Sequence, residues 1–179
     1  MGGEFWGTAV GTFIGLIVGA FVQYGAQRLF VRWQTKSLLE ALKKEMRYNE
    51  TVIDSLNDEV RNLKTAIGAQ TLSTYYGYFK LTDVFFVVAN KCLADAILYD
   101  ALRDEDLIKL QKAASFFSVG TEQWVNKEIE LHKGGKANPM AFADFLDGAL
   151  RENQQRLHDV LRALKRVRVT FWGGPKPEL

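Results

Sequence analysis

Arg151 and His158, in the run Arg151-Glu152-Asn153-Gln154-Gln155-Arg156-Leu157-His158, have side-chain types and a spacing that suit phosphodiester chemistry. A guanidinium fork holds a phosphate through paired hydrogen bonds, and an imidazole of near-neutral pKa trades a proton with a ribose hydroxyl. Together they spell metal-independent cleavage of RNA. The chain has two histidines, and the other, His132, falls in His132-Lys133-Gly134-Gly135 at an expected helix end. On a helix, residues seven apart lie within about 20° of each other, two turns apart. Arg151 and His158 therefore share a face at the edge of an apolar seam, where they can meet a partner subunit. The competing reading gives both residues only surface or intersubunit contacts. Glu152 favours it, because a carboxylate beside Arg151 partly neutralises a cation meant for RNA.

The element that must carry this pair is a helix from about Pro139 to Val167, burying Phe145, Leu146, Leu150, Leu157, Leu161 and Leu164. Before it, Asp104 opens a helix with Asp104, Glu105 and Asp106 at its positive end and Leu107, Leu110, Ala113, Ala114, Phe117 and Trp124 behind them. The acidic trio reads as a helix-start signal; no metal and no cofactor is expected. Thr82 or Asp83 starts another helix to about Leu102, apolar nearly all round, which predicts a buried central helix. Gly68 to Leu81 reads as a connection whose aromatic cluster, Tyr75, Tyr76, Tyr78 and Phe79, packs against the core. Val167 to Trp172 suits a short strand, and the tail from Gly173 should be irregular. A basic group, Arg162, Lys165, Arg166 and Arg168, suits anionic lipid, RNA, an acidic partner or simply a solvated helix end.

From Ala26 to Ala66 there is neither Gly nor Pro. Leu39, Leu42, Met46, Ile53, Leu56, Val60, Leu63 and Ile67 step by three and four, with Asn49 in the missing place. That predicts one long helix with a heptad-like seam, with a bend allowed near Thr35 to Ser37. Asn49 either fixes register against another subunit or is satisfied within its own chain.

At the start of the chain, Phe5 to Gln27 contains no charged side chain, and Gly7, Gly11, Gly15 and Gly19 recur at every fourth position. A run of this length predicts a transmembrane helix, and the glycine row predicts close helix–helix contact. Thr8, Thr12, Gly15, Gly19, Gln23 and Gln27 fall on one stripe, where hydroxyls and amides either hydrogen-bond between helices or line a wet cavity, which makes Thr8, Thr12, Gln23 and Gln27 pore-lining candidates. Arg28, Arg32 and Lys36 follow as a basic membrane-interface flank. The positive-inside bias then puts the N-terminus outside and the rest in the cytoplasm of a single-span inner-membrane protein. A cleaved signal peptide is the competing reading, weakened by an n-region without Lys or Arg. The expected organisation is a span and basic flank over 1–34, one helical domain over 35–172 and a tail over 173–179. Net charge of +2 across 179 residues argues against general nucleic-acid binding. The lone Cys92 agrees with a reducing compartment.

The run Arg151-x6-His158, with Asn153 inside it, resembles the Arg-x4-6-His motif of HEPN domains, helical modules whose Arg and His from two protomers form a composite RNA-cutting site. With the N-terminal run, the helical remainder and the chain length, the sequence resembles the small HEPN-type membrane proteins that accompany type VI-B CRISPR RNA-guided ribonucleases. The resemblance implies an all-α fold and a homo-oligomeric ring forming a pore in the bacterial inner membrane during antiviral defence. Its implied partners are other copies of the chain, the lipid bilayer, and an RNA-guided ribonuclease or RNA, with no small-molecule substrate. Gly7, Gly11, Gly15, Gly19 and Asn49 would serve assembly. Arg151, Asn153 and His158 would be the HEPN residues, catalytic or structural. The alternatives are a membrane-tethered metal-independent ribonuclease and a non-catalytic membrane adaptor.

Overall fold

The computed structural model describes the backbone over residues 3–169 and 175–177, and the side chains of Leu16, of residues 18–169 and of Pro175. Six α-helices, two short 3-10 turns at Leu72–Thr74 and Leu81–Asp83 and one small two-stranded sheet are formed by these residues, so the fold is all-α. Helix α1 runs unbroken from Gly3 to Gly68, about 100 Å at 1.5 Å per residue, with its helical hydrogen bonding continuous through Thr35 to Ser37. Its second half is the keel of the domain. Leu39, Leu42, Met46, Ile53, Leu56, Val60 and Leu63 are all buried, as the spacing of three and four requires of a helix with one core-facing stripe.

Helix α6, Pro139–Lys165, lies along that stripe and contributes Ala143, Leu146, Leu150, Leu157, Val160, Leu161 and Leu164. It starts with Pro139 at the first turn, where a missing N–H costs nothing. Phe145, expected in the core, is 55% exposed and stacks edge-on to Trp124. Helix α4, Asp104–Phe116, packs Leu107, Leu110 and Ala113 on the core, with the acidic trio in its first turn. The expected continuation of α4 through Trp124 is interrupted. Ser118 adopts an extended backbone and accepts a hydrogen bond from the Thr121 N–H, starting a separate helix α5, Val119–Lys133.

The central helix expected over 82–102 is instead two short pieces on the flank of the bundle, α2, Val87–Ala94, and α3, Ile97–Ala101. Ala96 between them sits at φ 59°, a left-handed conformation that ends α2. Ala89, Cys92, Leu98 and Ala101 face the core while Val87 and Tyr99 face outward. In the connection after α1, Phe79 is buried and Tyr75 half-buried, whereas Tyr76 and Tyr78 are exposed, so only part of the aromatic cluster packs. The tail differs from the expected irregular one: β1, Val167–Val169, pairs antiparallel with β2, Pro175–Pro177.

The first half of α1 leaves this bundle. Among the described residues from 16 to 34, Leu16, Val18, Phe21, Val22, Tyr24, Leu29, Phe30, Val31 and Trp33 are exposed, and the first buried side chain is Thr35. Among the described residues, no helix is long and apolar enough to cross a membrane. That overturns the expected single-span inner-membrane placement with the N-terminus outside. From Leu16 onward the described residues place Gln23, Gln27, Arg28, Arg32 and Gln34 among the apolar ones, and polar and charged groups at that density disfavour burial in hydrocarbon. The side chains of Thr8 and Thr12, and the surroundings of Gly7, Gly11 and Gly15, lie outside the described residues.

Candidate functional site

Arg151 and His158 do come together. Both line an open groove of about 530 Å³ between α1 and α6, with Glu50, Asp54, Gln154 and Gln155 completing its walls. Two turns of α6 separate the pair, and residues 50 and 54 of α1, one turn apart, face them. Groups placed on one stripe by helical period therefore share one groove.

The bonding within this groove is mostly internal. His158 Nδ1 lies 3.1 Å from Glu50 Oε1, tying α6 to α1. Arg151 donates to both Asp147 oxygens, at 2.7 and 3.2 Å, across one turn of its own helix. Asp147 also accepts from Lys64 of α1 at 2.7 Å. The Lys64 ammonium, backed by Arg151, holds the Asp147 carboxyl below its usual range against the opposing pull of burial. Lys64 in turn is pushed up by its bonds to Asp144 and Asp147. Gln154 bridges the helices as well, donating to Asp54 at 2.6 Å and accepting from Asn57 at 3.1 Å.

Asn153 is not part of the groove. It is 2% exposed, donates to the Ala149 carbonyl at 2.8 Å and accepts from Arg156 at 2.8 Å. The expected trio therefore separates into an exposed pair and a core asparagine. The groove walls carry two carboxylates against one permanent cation, and that cation already has Asp147. A phosphate entering here meets net negative charge, so the arrangement favours helix-to-helix bonding over binding a polyanion.

Asn49, expected either to fix register or to be satisfied internally, is satisfied internally. Fully buried, it donates to the Phe85 carbonyl at 2.7 Å and accepts from the Phe85 N–H at 3.2 Å, anchoring the segment before α2. The neighbouring Glu45, 4% exposed, accepts from the N–H groups of Val88 and Ala89 at 2.7 and 3.0 Å. A carboxylate from α1 thus caps α2, whose own preceding residue, Phe86, offers no capping oxygen. Glu45 carries no sequence signal of this role, because it sits one position from the apolar seam on a helix rich in surface charge.

The other histidine is also bonded within the fold: His132 Nδ1 lies 3.0 Å from the Lys136 carbonyl and the ring packs on Phe142. Cys92 is fully buried, and burial with Asp95 and Glu45 nearby pushes its thiol up to about 11, away from reactive thiolate. Among the described residues, no cluster of His, Cys, Asp or Glu is arranged to hold a metal ion. Gly19 has open space where a Cβ would stand, and Gln23 and Gln27 are exposed beside it. Arg28 stacks over the Tyr24 ring at 4.8 Å, while Arg32 and Lys36 line a second groove together with Arg168 of β1.

The class these features define is an all-α bundle with a projecting helix and a polar, interhelical groove. Comparison with known proteins found no matching family model, no similar curated protein and no similar solved structure.

Proposed function

We propose that this chain is a homo-oligomeric assembly protein that acts by building a multi-subunit helical body, not by turning over a substrate. One observation carries this reading. The described large apolar side chains between Leu16 and Trp33 are exposed on every side of the projecting half of α1. A helix that is apolar all round is a buried helix in its working state. A single neighbour covers only one face, so several copies packed side by side answer the pattern better than a dimer. Gly19, Gln23 and Gln27 are the residues this reading expects at the closest helix–helix approach. The resemblance to HEPN-type accessory proteins supports a role beside an RNA-guided ribonuclease in antiviral defence.

Light scattering on the purified full chain tests the assembly. A mass of several protomers is expected, falling towards one protomer when Phe21 and Val22 are both replaced by Asp. A wild-type chain that stays monomeric at tens of micromolar contradicts the reading.

A second reading, RNA cleavage by paired protomers, is favoured by Arg151 and His158 sharing one groove with Glu50 against the imidazole. Its test is separate: cleavage of single-stranded RNA without metal, abolished by His158→Ala. The excess of carboxylates in the groove and the inward-facing Asn153 make it the weaker of the two.

A further inference from the structure

Two basic groups far apart in sequence meet in the fold. Arg32, Lys36 and Lys43 lie along α1 at intervals of four and seven residues, and the β1 strand after α6 brings Arg168 beside them. They surround a groove of about 310 Å³ whose floor is Leu39, Val167 and Val169. Among the described residues Glu40 is the one carboxylate in its wall, and it is already bonded to Lys43 at 2.9 Å. Among the described residues the wall sets Arg32, Lys36, Lys43 and Arg168 against the Glu40 carboxylate, in contrast to the groove of Arg151 and His158.

Like charges at this spacing on a helix repel and cost stability. Among the described residues, neither Arg32 nor Lys36 has an ion-pair partner to offset that cost. The Glu40 carboxyl is held below its ordinary range, first by its bond to Lys43 and then by the charges of Lys43, Lys36 and Arg47. This is the response of an anion to a positive field. The volume is at the small end for ligand pockets, and the apolar floor adds a requirement that inorganic phosphate alone does not meet.

We infer that the groove of Arg32, Lys36, Lys43 and Arg168 binds a mononucleotide-sized phosphate ester, with the phosphate among the cations and the base on Leu39, Val167 and Val169. Arg32 and Lys36 supply the uncompensated charge. Lys43, only 15% exposed, is held in place by Glu40. The groove lies where the projecting half of α1 enters the bundle, so a ligand there would brace α1 against the β1–β2 hairpin.

The test is calorimetric titration of the full chain with AMP, with inorganic phosphate, with an RNA 20-mer, and with vesicles containing phosphatidylserine. The expected result is saturable AMP binding, inorganic phosphate at least tenfold weaker, and loss of AMP affinity by tenfold or more in Lys36→Gln and in Arg168→Gln. Val169→Asp should weaken AMP more than inorganic phosphate. Circular dichroism of each variant checks that the helical fold is kept, and these outward-facing or half-buried positions are chosen so that it is. AMP affinity that falls as salt rises also supports the site. No AMP binding at millimolar concentration overturns the inference, as does AMP binding unchanged in both cation variants. Binding confined to the RNA 20-mer or to the vesicles overturns it in favour of a polyanion or a lipid surface.

Discussion

At the scale of single residues, polar groups in this chain serve helix-to-helix bonding more than chemistry. Asn49 shows it most clearly: an asparagine in an apolar seam saturates both the N–H and the carbonyl of Phe85. Replacing it with Ala would strand both backbone groups and should cost about 2–3 kcal/mol in denaturant unfolding. His158→Ala should cost less than about 1 kcal/mol in the same measurement, because its contact with Glu50 is half in solvent. The sequence showed that Asn49 was unusual and that Arg151 and His158 share a face. It did not show that Asn153 turns inward, since a residue at the edge of a seam goes either way depending on the neighbouring helix. Nor did it show Glu45, whose role exists only because α2 ends against α1 at that level.

At the scale of elements, period was legible and breaks were not. The seam of α1 and the core face of α6 follow directly from spacings of three and four, and both are buried as expected except for Phe145, which is exposed, and Ile67, which is partly buried. The break at Ala96 interrupts a run with no Gly or Pro to mark it, so tertiary packing decides it, and the break at Ser118 has only Gly120, two residues on and itself helical, as a mark. Ala96 pays for its left-handed backbone, and Ala96→Gly should therefore raise unfolding stability by about 1 kcal/mol. Between elements, Lys64 to Asp147 and Lys109 to Asp159 join α6 to α1 and to α4 at 2.7 and 2.9 Å. Lys64 and Lys109 hold the two carboxyls below their ordinary value of 3.8. Depressed carboxyls stabilise the fold above that value and stop doing so as the pH falls through their folded-state pKa. Lys64 and Lys109 are raised above 10.5, so their contribution is complete below that value and is lost at more alkaline pH. Thermal melts across pH should show a plateau between these limits, falling on the acid side below about 4. In the Asp147→Asn, Asp159→Asn double variant, the acid-side fall should be shallower.

At the scale of the whole molecule, the contrast lies between a bundle that satisfies itself and a helix that does not. The bundle buries a continuous core from Leu39 to Leu164. The half of α1 before Thr35 has apolar side chains on every side and no cover from its own chain among the described residues. Sequence pattern alone assigned that stretch to lipid, because charge-free runs and glycine rows are features of membrane helices and of tightly packed helical assemblies alike. Among the described residues no helix is suited to cross a membrane, and further copies of the chain are the cover we propose for this exposed surface. Oxidative crosslinking of a Gly19→Cys variant tests it most directly, because Gly19 has room for a side chain and Cys92 is buried with its thiol pushed up to about 11. The account predicts disulfide-linked dimers from Gly19→Cys and none from Arg61→Cys, an exposed position on the same helix within the bundle. Gly19→Cys that remains monomeric under oxidant, or crosslinks no faster than Arg61→Cys, would contradict it.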